Sequence, residues 1–227
     1  MSLALFDLDH TLLAGDSDEL WVDYLSQRSA INSKRYHQDY ERFRSEYNTG
    51  QLDIKEYLAF SLAPLKKVNR KTMLQWRQEF LRSHIMPVIT KDARALIASH
   101  RARGHKCVIV TITNQFISEI IAAELGVDAL FATVPEIIND KYTGQIEGLP
   151  CYGDGMILRL EQWMKETNQT YKDSYFYTDS HNDLKLLSKV DHPVPVNPDP
   201  ILLKVAHENN WSILYLGGNI RKNSAVA

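Results

Sequence analysis

Cys107 and Cys151 are the only cysteines in 227 residues, too few for a disulfide scaffold and suited to a reducing compartment. Long apolar stretches are missing too. No uninterrupted hydrophobic run exceeds four residues, so nothing in the sequence predicts a bilayer span. Neither sign of charge dominates: 28 acids against 26 bases leave a net charge of −2. That balance gives no electrostatic reason to expect nucleic acid or an anionic membrane as partner. Ten glycines and eight prolines without repeat or low-complexity bias exclude collagenous and disordered chains. The start, Met1-Ser2-Leu3-Ala4-Leu5-Phe6-Asp7, lacks basic residues and meets acid at once, unlike a signal peptide. The expected location is therefore cytoplasmic. What is present, 44% hydrophobic and 24% charged residues, is the mix of an ordinary globular protein. The length suits one large domain, or a medium domain with an insertion, and the oligomeric state is left open.

Leu3-Ala4-Leu5-Phe6 is a short apolar run ending in acid, the pattern of a buried parallel strand. From Ser17 to about residue 87 the periodicity is helical. Ser17 is the expected cap of a first helix whose buried face is Leu20, Trp21, Tyr24 and Leu25. Tyr36, Tyr40, Phe43 and Tyr47 form an aromatic stripe at helical spacing, expected to pack inside this helical block. Asp53 with Glu56 three residues later predicts a capped third helix. Asn69 is the expected cap of a fourth, burying Met73, Trp76 and Phe80.

After Thr90 helices alternate with apolar strands. Helices are expected at Thr90–Arg103 (closed by Gly104), Gln115–Leu125, Asp154–Glu166, near Asp183–Ser188 and near Ile201–Asn209. Strands are expected at Lys106–Thr111, Ala129–Ala132, Ser174–Thr178, Val194–Val196 and Ser212–Leu216, with a hairpin through Asp140 and Gly144. This alternation implies an α/β fold: a Rossmann-like three-layer core with an open parallel sheet. The all-helical stretch is an insertion after the first strand. Residues 1–15 and 88–227 make the core and 16–87 the cap.

In such a sheet, ligands bind beyond the carboxyl ends of the strands. The first strand delivers Asp7-Leu8-Asp9-His10-Thr11, with two carboxylates projecting to one side. Strand 106–111 delivers Thr111, followed by Thr113 and Asn114 at a helix start. Strand 174–178 delivers Asp179-Ser180-His181-Asn182-Asp183. Each alone reads equally well as a turn or a helix cap; the three together are poorly explained by capping. Clustered carboxylates repel unless a cation sits among them, and oxygen ligands without a Cys/His set point to Mg²⁺. A carboxylate beside it can attack phosphorus.

The order Asp7-x-Asp9-x-Thr11, then Thr111, then Asp179-x-x-x-Asp183 resembles the haloacid-dehalogenase-like phosphatase superfamily. A helical cap after the first motif is similar to its phosphoserine-phosphatase-like branch. The resemblance implies a Mg²⁺-dependent phosphatase acting through an aspartyl-phosphate on a small phosphate ester. It makes Asp7 the nucleophile and a metal ligand. Asp9 would give the metal its backbone carbonyl and serve as general acid, then base. Thr111, preferred to Thr113, would bind phosphate. Asp179 would ligate the metal directly, with Thr11, Asn182 and Asp183 orienting ligands and waters.

The family also places a Lys at the start of the helix before the last acidic strand, where this chain has Gly153-Asp154-Gly155-Met156. Met156 cannot neutralise phosphate. Three alternatives follow: Arg159, one turn on, stands in for it in part, which is the expectation favoured here; the enzyme is weakened; or the substitution is peculiar to this chain. A chain so weakened would be a pseudo-phosphatase, and the same residues would also suit a phosphotransferase. Lys165 and Lys172 read as solvated surface.

Asp16 lies where the branch meets a substrate amine, favouring a phosphoserine- or histidinol-phosphate-like substrate. Asp18 reads equally well as an acid in a first helical turn. Lys66, Lys67, Arg70 and Lys71 form a basic patch expected in solvent. His10 and His181 read as polar rim residues, and Cys107 and Trp211 as core.

Overall fold

The computed structural model describes residues 2–216. Strand β1 (Leu3–Phe6) is buried along its whole length, as its uninterrupted apolar run requires. It lies at the centre of a five-stranded parallel sheet, flanked by β2 (Lys106–Val110) and β6 (Tyr175–Thr178), with β3 (Ala129–Phe131) and β7 (His192–Pro195) at the edges. Phe6 pairs with both Ile109 and Tyr177, so the residues after all three strands leave the sheet at one level.

Alternate side chains separate two cores. Ala4, Phe6, Cys107, Ile109 and Tyr177 face a cluster with Ala93 and Ile97 of α5 (Lys91–Ala102) and Phe116, Ile117 and Ile121 of α6 (Gln115–Leu125). Leu3, Leu5, Val108, Val110 and Phe176 face Met156, Ile157 and Leu160 of α7 (Asp154–Glu166), Leu186 and Leu187 of α8 (Leu184–Leu187) and Leu202 of α9 (Pro200–Glu208). These are the three layers.

The insertion comprises α1 (Ser17–Gln27), α2 (Ser33–Asn48), α3 (Ile54–Lys67) and α4 (Arg70–Phe80), prolonged by one π turn and one 3-10 turn to Val88. Its entering and leaving chains touch where Leu13 bridges Ile89 and the Ala14 N–H donates to the Val88 carbonyl. Trp21, Tyr24, Leu25, Met73 and Phe80 bury into the same cluster as Phe116, so α1 and α4 are joined to the sheet layer by one continuous core. Trp76 is only half-buried.

An antiparallel hairpin, β4 (Val134–Ile138) and β5 (Lys141–Glu147), packs against α3. Arg70 of the basic patch is tied to it by an ion pair with Asp140 at 2.5 Å, rather than standing free in solvent. Two expectations need correction. Ser17 does not cap α1; Asp16 does, its Oδ1 accepting from the N–H groups of Asp18 and Glu19 at 2.9 and 3.0 Å. Residues 212–216 make a single parallel bridge, Leu214 to Val196, instead of a strand. Tyr215 and Leu216 follow without regular structure, and nothing beyond them is described.

Candidate active site

Beyond the carboxyl ends of β1, β2 and β6, under α2 and α3, lies a cavity of about 340 Å³. Asp7, Asp9, Asp179 and Ser180 form its floor, and the cap supplies Asp16, Asp18, Tyr40, Phe43, Arg44, Tyr47 and Tyr57.

Asp7 continues the ladder past β1, its N–H donating to the Tyr177 carbonyl at 2.8 Å. Its Oδ2 accepts from the Thr11 hydroxyl at 3.2 Å. Asp9 is clamped on both oxygens: Oδ1 accepts from the Ser17 N–H and Oδ2 from the Thr113 hydroxyl, each at 2.7 Å. Thr113 thus lines the cavity and holds Asp9. Thr111, buried at the end of β2, has its Oγ1 accepting from the Thr113 N–H.

After β6, Asp183 is fixed by the Thr178 hydroxyl at 2.6 Å. Asn182 donates from Nδ2 to the Tyr47 carbonyl at 2.9 Å and so ties the acidic loop to the end of α2. His10 lines the cavity, and His181 is paired at 2.8 Å to Asp199, another lining residue.

The carboxyls perturb one another. Burial first, then the charges of Asp183, Asp179 and Asp9, push Asp7 well above the ordinary carboxylate range. Burial, then Asp16 and Asp18, does the same to Asp9. Burial lifts Asp183 to about 6 against the opposing hydrogen bond from Thr178. Acids so placed are relieved by a cation, and their oxygens suit a hard one. Among the described residues no three acidic, imidazole or thiol side chains converge as a closed metal cage. A cation here would be held by few side chains, together with backbone carbonyl and water.

The helix start that carries Met156 is fixed by Gly155: a Cβ there would stand 2.4 Å from the Pro150 carbonyl oxygen. Met156 points away from the cavity, 5% exposed among Val110, Phe131 and Leu160. Arg159, expected to stand in for the missing lysine, does not line the cavity. Its Nη1 donates to the carbonyls of Ala132 at 2.7 Å and Leu149 at 3.3 Å, away from the cavity. Among the described residues, the basic side chains that line the cavity are His10 and Arg44.

The aromatic stripe of α2 packs inside the cap as expected, Phe43 with Tyr57 and Leu58 and Tyr36 against Phe60, and Tyr40, Phe43 and Tyr47 also wall the cavity. Arg44, Tyr57 and Asp199 also line the cavity, and no motif in the sequence singles them out. Arg44 falls one turn after Tyr40 and Tyr57 one turn after Asp53, so helical phase was the available signal.

A parallel sheet with carboxylates converging at its carboxyl edge, roofed by an inserted helical cap, defines a class of hydrolase. The haloacid dehalogenase-like hydrolase family model matches residues 4–188. A protein named histidinol-phosphatase, from Neisseria meningitidis serogroup C, is 38% identical over 217 residues, covering 94% of this chain and 98% of that protein. A crystal structure of a protein of unknown function from Bordetella pertussis Tohama I superposes with a TM-score of 0.87 at 37% identity, covering 94% of this chain and 97% of the other. A structure titled as a phospho-aspartyl intermediate analogue of phosphoserine phosphatase has the same fold, with a TM-score of 0.69 at 21% identity over 97% and 95% of the two chains. The chain belongs to the haloacid dehalogenase-like hydrolases, and within them to the phosphatases of the phosphoserine-phosphatase-like branch. Among the described residues no helix is long and apolar enough to cross a membrane.

Proposed function

We propose that this chain is a Mg²⁺-dependent phosphatase for a small phosphomonoester of the histidinol-phosphate or phosphoserine kind, working through an aspartyl-phosphate on Asp7. The observation that carries the reading is the placing of Asp7 and Asp9 in one cavity, each held in a different way. Thr11 holds one oxygen of Asp7 and leaves the other to attack phosphorus. As the Asp7–phosphorus bond forms, the bond to the leaving oxygen breaks, and Asp9 gives that oxygen a proton. Asp9 then takes a proton from the water that cleaves the acyl phosphate, so both groups return to their starting state. Thr111 is the hydroxyl donor to the phosphoryl oxygens.

Asp7, Asp179 and the Asp9 carbonyl would hold Mg²⁺, with Thr11, Asn182 and Asp183 ordering the groups around it. When bound, the ion supplies charge stabilisation to the phosphoryl oxygens. Residues 16–87 act as the substrate-selecting cap, with Asp16 facing the leaving group. A cavity of about 340 Å³ under that cap suits a metabolite rather than a protein. The histidinol-phosphatase relative, matched over nearly its whole length, favours a leaving group with cationic nitrogen.

Phosphate release from a panel of small esters with and without Mg²⁺ tests the proposal. Asp7→Asn should reduce turnover below about 1% of the parent while the fold is kept. Residual activity above that level would deny Asp7 its nucleophilic role.

A second reading rests on Met156 and Arg159, neither of which offers charge to the cavity. The chain would then bind the phosphorylated ligand and turn it over weakly. Met156→Lys should raise turnover by about tenfold or more if a missing cation limits the rate. Unchanged turnover in a folded variant would mean that this position does not supply a limiting cation.

A further inference from the structure

The cap end of the cavity holds a carboxyl that the chemistry at phosphorus does not use. Asp18, on the first turn of α1, is 7% exposed and lines the cavity beside Tyr40, Phe43 and Tyr57. Its backbone N–H is taken by Asp16, and its carboxylate accepts one hydrogen bond, from the Tyr57 hydroxyl. Nearby cations are committed elsewhere. The His10 imidazole stands 4.0 Å from Asp16, and Arg44 pairs with Glu41 at 2.5 Å and with Glu19 at 3.9 Å.

Burial, then the charge of Asp16, pushes Asp18 up to about 7 against the hydrogen bond from Tyr57. Helix capping does not require this residue, because Asp16 already provides the cap. Packing does not require a charge there either, since a buried carboxylate without a cation is unfavourable. A cation brought by the ligand would offset that cost, and the surrounding aromatic rings suit a cation as well.

We propose that Asp18, positioned by Tyr57, is a specificity-determining residue: it receives a cationic nitrogen of the leaving group, imidazolium or ammonium, and with Asp16 turns away leaving groups that carry a carboxylate. The inference rests on the phosphatase reading above and narrows its substrate to the monophosphate of an amino alcohol without a carboxylate. Histidinol phosphate fits that description and phosphoserine does not. Rejection arises because two acids at one end of the cavity repel a third, a device that works by penalising the wrong ligand.

The test compares histidinol phosphate, phosphoserine and p-nitrophenyl phosphate, with Mg²⁺, in the parent chain, Asp18→Asn and Tyr57→Phe. The parent should prefer histidinol phosphate to phosphoserine. Asp18→Asn should lower the ratio of kcat/KM for histidinol phosphate over p-nitrophenyl phosphate by about tenfold to a hundredfold, mainly through KM, as for a lost charge-assisted hydrogen bond. Tyr57→Phe, which keeps the ring, should move the ratio in the same direction by less.

A ratio unchanged within about twofold in Asp18→Asn, or a parent that prefers phosphoserine, overturns the assignment. Binding gives a readout independent of turnover. Histidinol titrated calorimetrically into the parent should bind about tenfold more tightly than into Asp18→Asn. Equal binding, or none to the parent, overturns the role of Asp18 even if phosphate esters are hydrolysed. Loss of all hydrolysis in the parent with selective histidinol binding intact would instead defeat the phosphatase reading alone.

Discussion

At the residue scale the site sets acids against one another, and stability is the quantity that records it. Asp18 titrates near 7 in the folded chain, above its ordinary value of 3.8, so the folded state holds a proton that the unfolded state has released between those values. Its contribution is therefore intact below pH 3.8 and is lost as pH rises through 7. Asp18→Asn keeps an acceptor for Tyr57 and removes the charge. It should raise thermal stability at pH 8 by on the order of a few kcal/mol and make little difference at pH 4. Melting curves of the two proteins at both pH values check this; a variant less stable than the parent at pH 8 would mean that Asp18 is structurally supported. Residues that weaken a fold where they sit are expected at sites that act on something else.

At the element scale the cap is held to the core by side chains reaching from helix to helix. Arg77 of α4 donates from Nη1 to the Phe116 carbonyl at 3.1 Å and to Glu119 at 2.9 Å, with its side chain 13% exposed. Arg77→Ala would leave the Phe116 carbonyl without that donor and should destabilise the protein by about 1–3 kcal/mol in urea unfolding. An effect below about 0.5 kcal/mol would place the docking energy in the apolar contact of Trp21 with Phe116 instead. Asn182 works at the same scale from below, because its bond to the Tyr47 carbonyl joins the last acidic loop to the end of α2. Asn182→Ala should raise the KM for the phosphate ester more than it lowers kcat if that bond helps to hold the cap over the substrate. A change confined to kcat, measured at saturating Mg²⁺, would restrict Asn182 to the metal.

At the scale of the whole molecule, one buried group packed on the sheet costs stability in acid. His100 of α5 is fully buried against Tyr177, its Nε2 2.7 Å from the Tyr177 hydroxyl. Burial, reinforced by Arg103 and His105, depresses it from 6.5 to about 4. The folded chain keeps it neutral while the unfolded chain takes up a proton, so this contribution is whole above pH 6.5 and declines as pH falls toward 4. The difference in melting temperature between the parent and His100→Gln should shrink over that interval. A difference independent of pH would mean that packing, not protonation, governs His100.

The sequence was most informative where one residue's chemistry decides its place. An apolar run ending in Asp7 has to be a buried strand with its acid beyond the sheet, because a carboxylate is not left unpaired inside. The alternation after Thr90 likewise specified the parallel sheet, since parallel strands need helical crossovers. The order of the acidic and hydroxyl motifs was legible for the same reason. Side-chain direction on the cap was not. Tyr40 and Phe43 have the periodicity of a core-facing stripe, and whether that face meets a neighbour or a cavity depends on how α2 and α3 close over the sheet. Arg159 could have reached phosphate from the helix phase alone, yet the Ala132 and Leu149 carbonyls captured it, because a guanidinium takes the nearest unsatisfied acceptors. Local pattern specifies what a residue can do. Only the assembled chain brings Asp18, Tyr57 and Asp9 to one cavity from separate segments, because their charges and hydroxyls interact through space and not along the sequence.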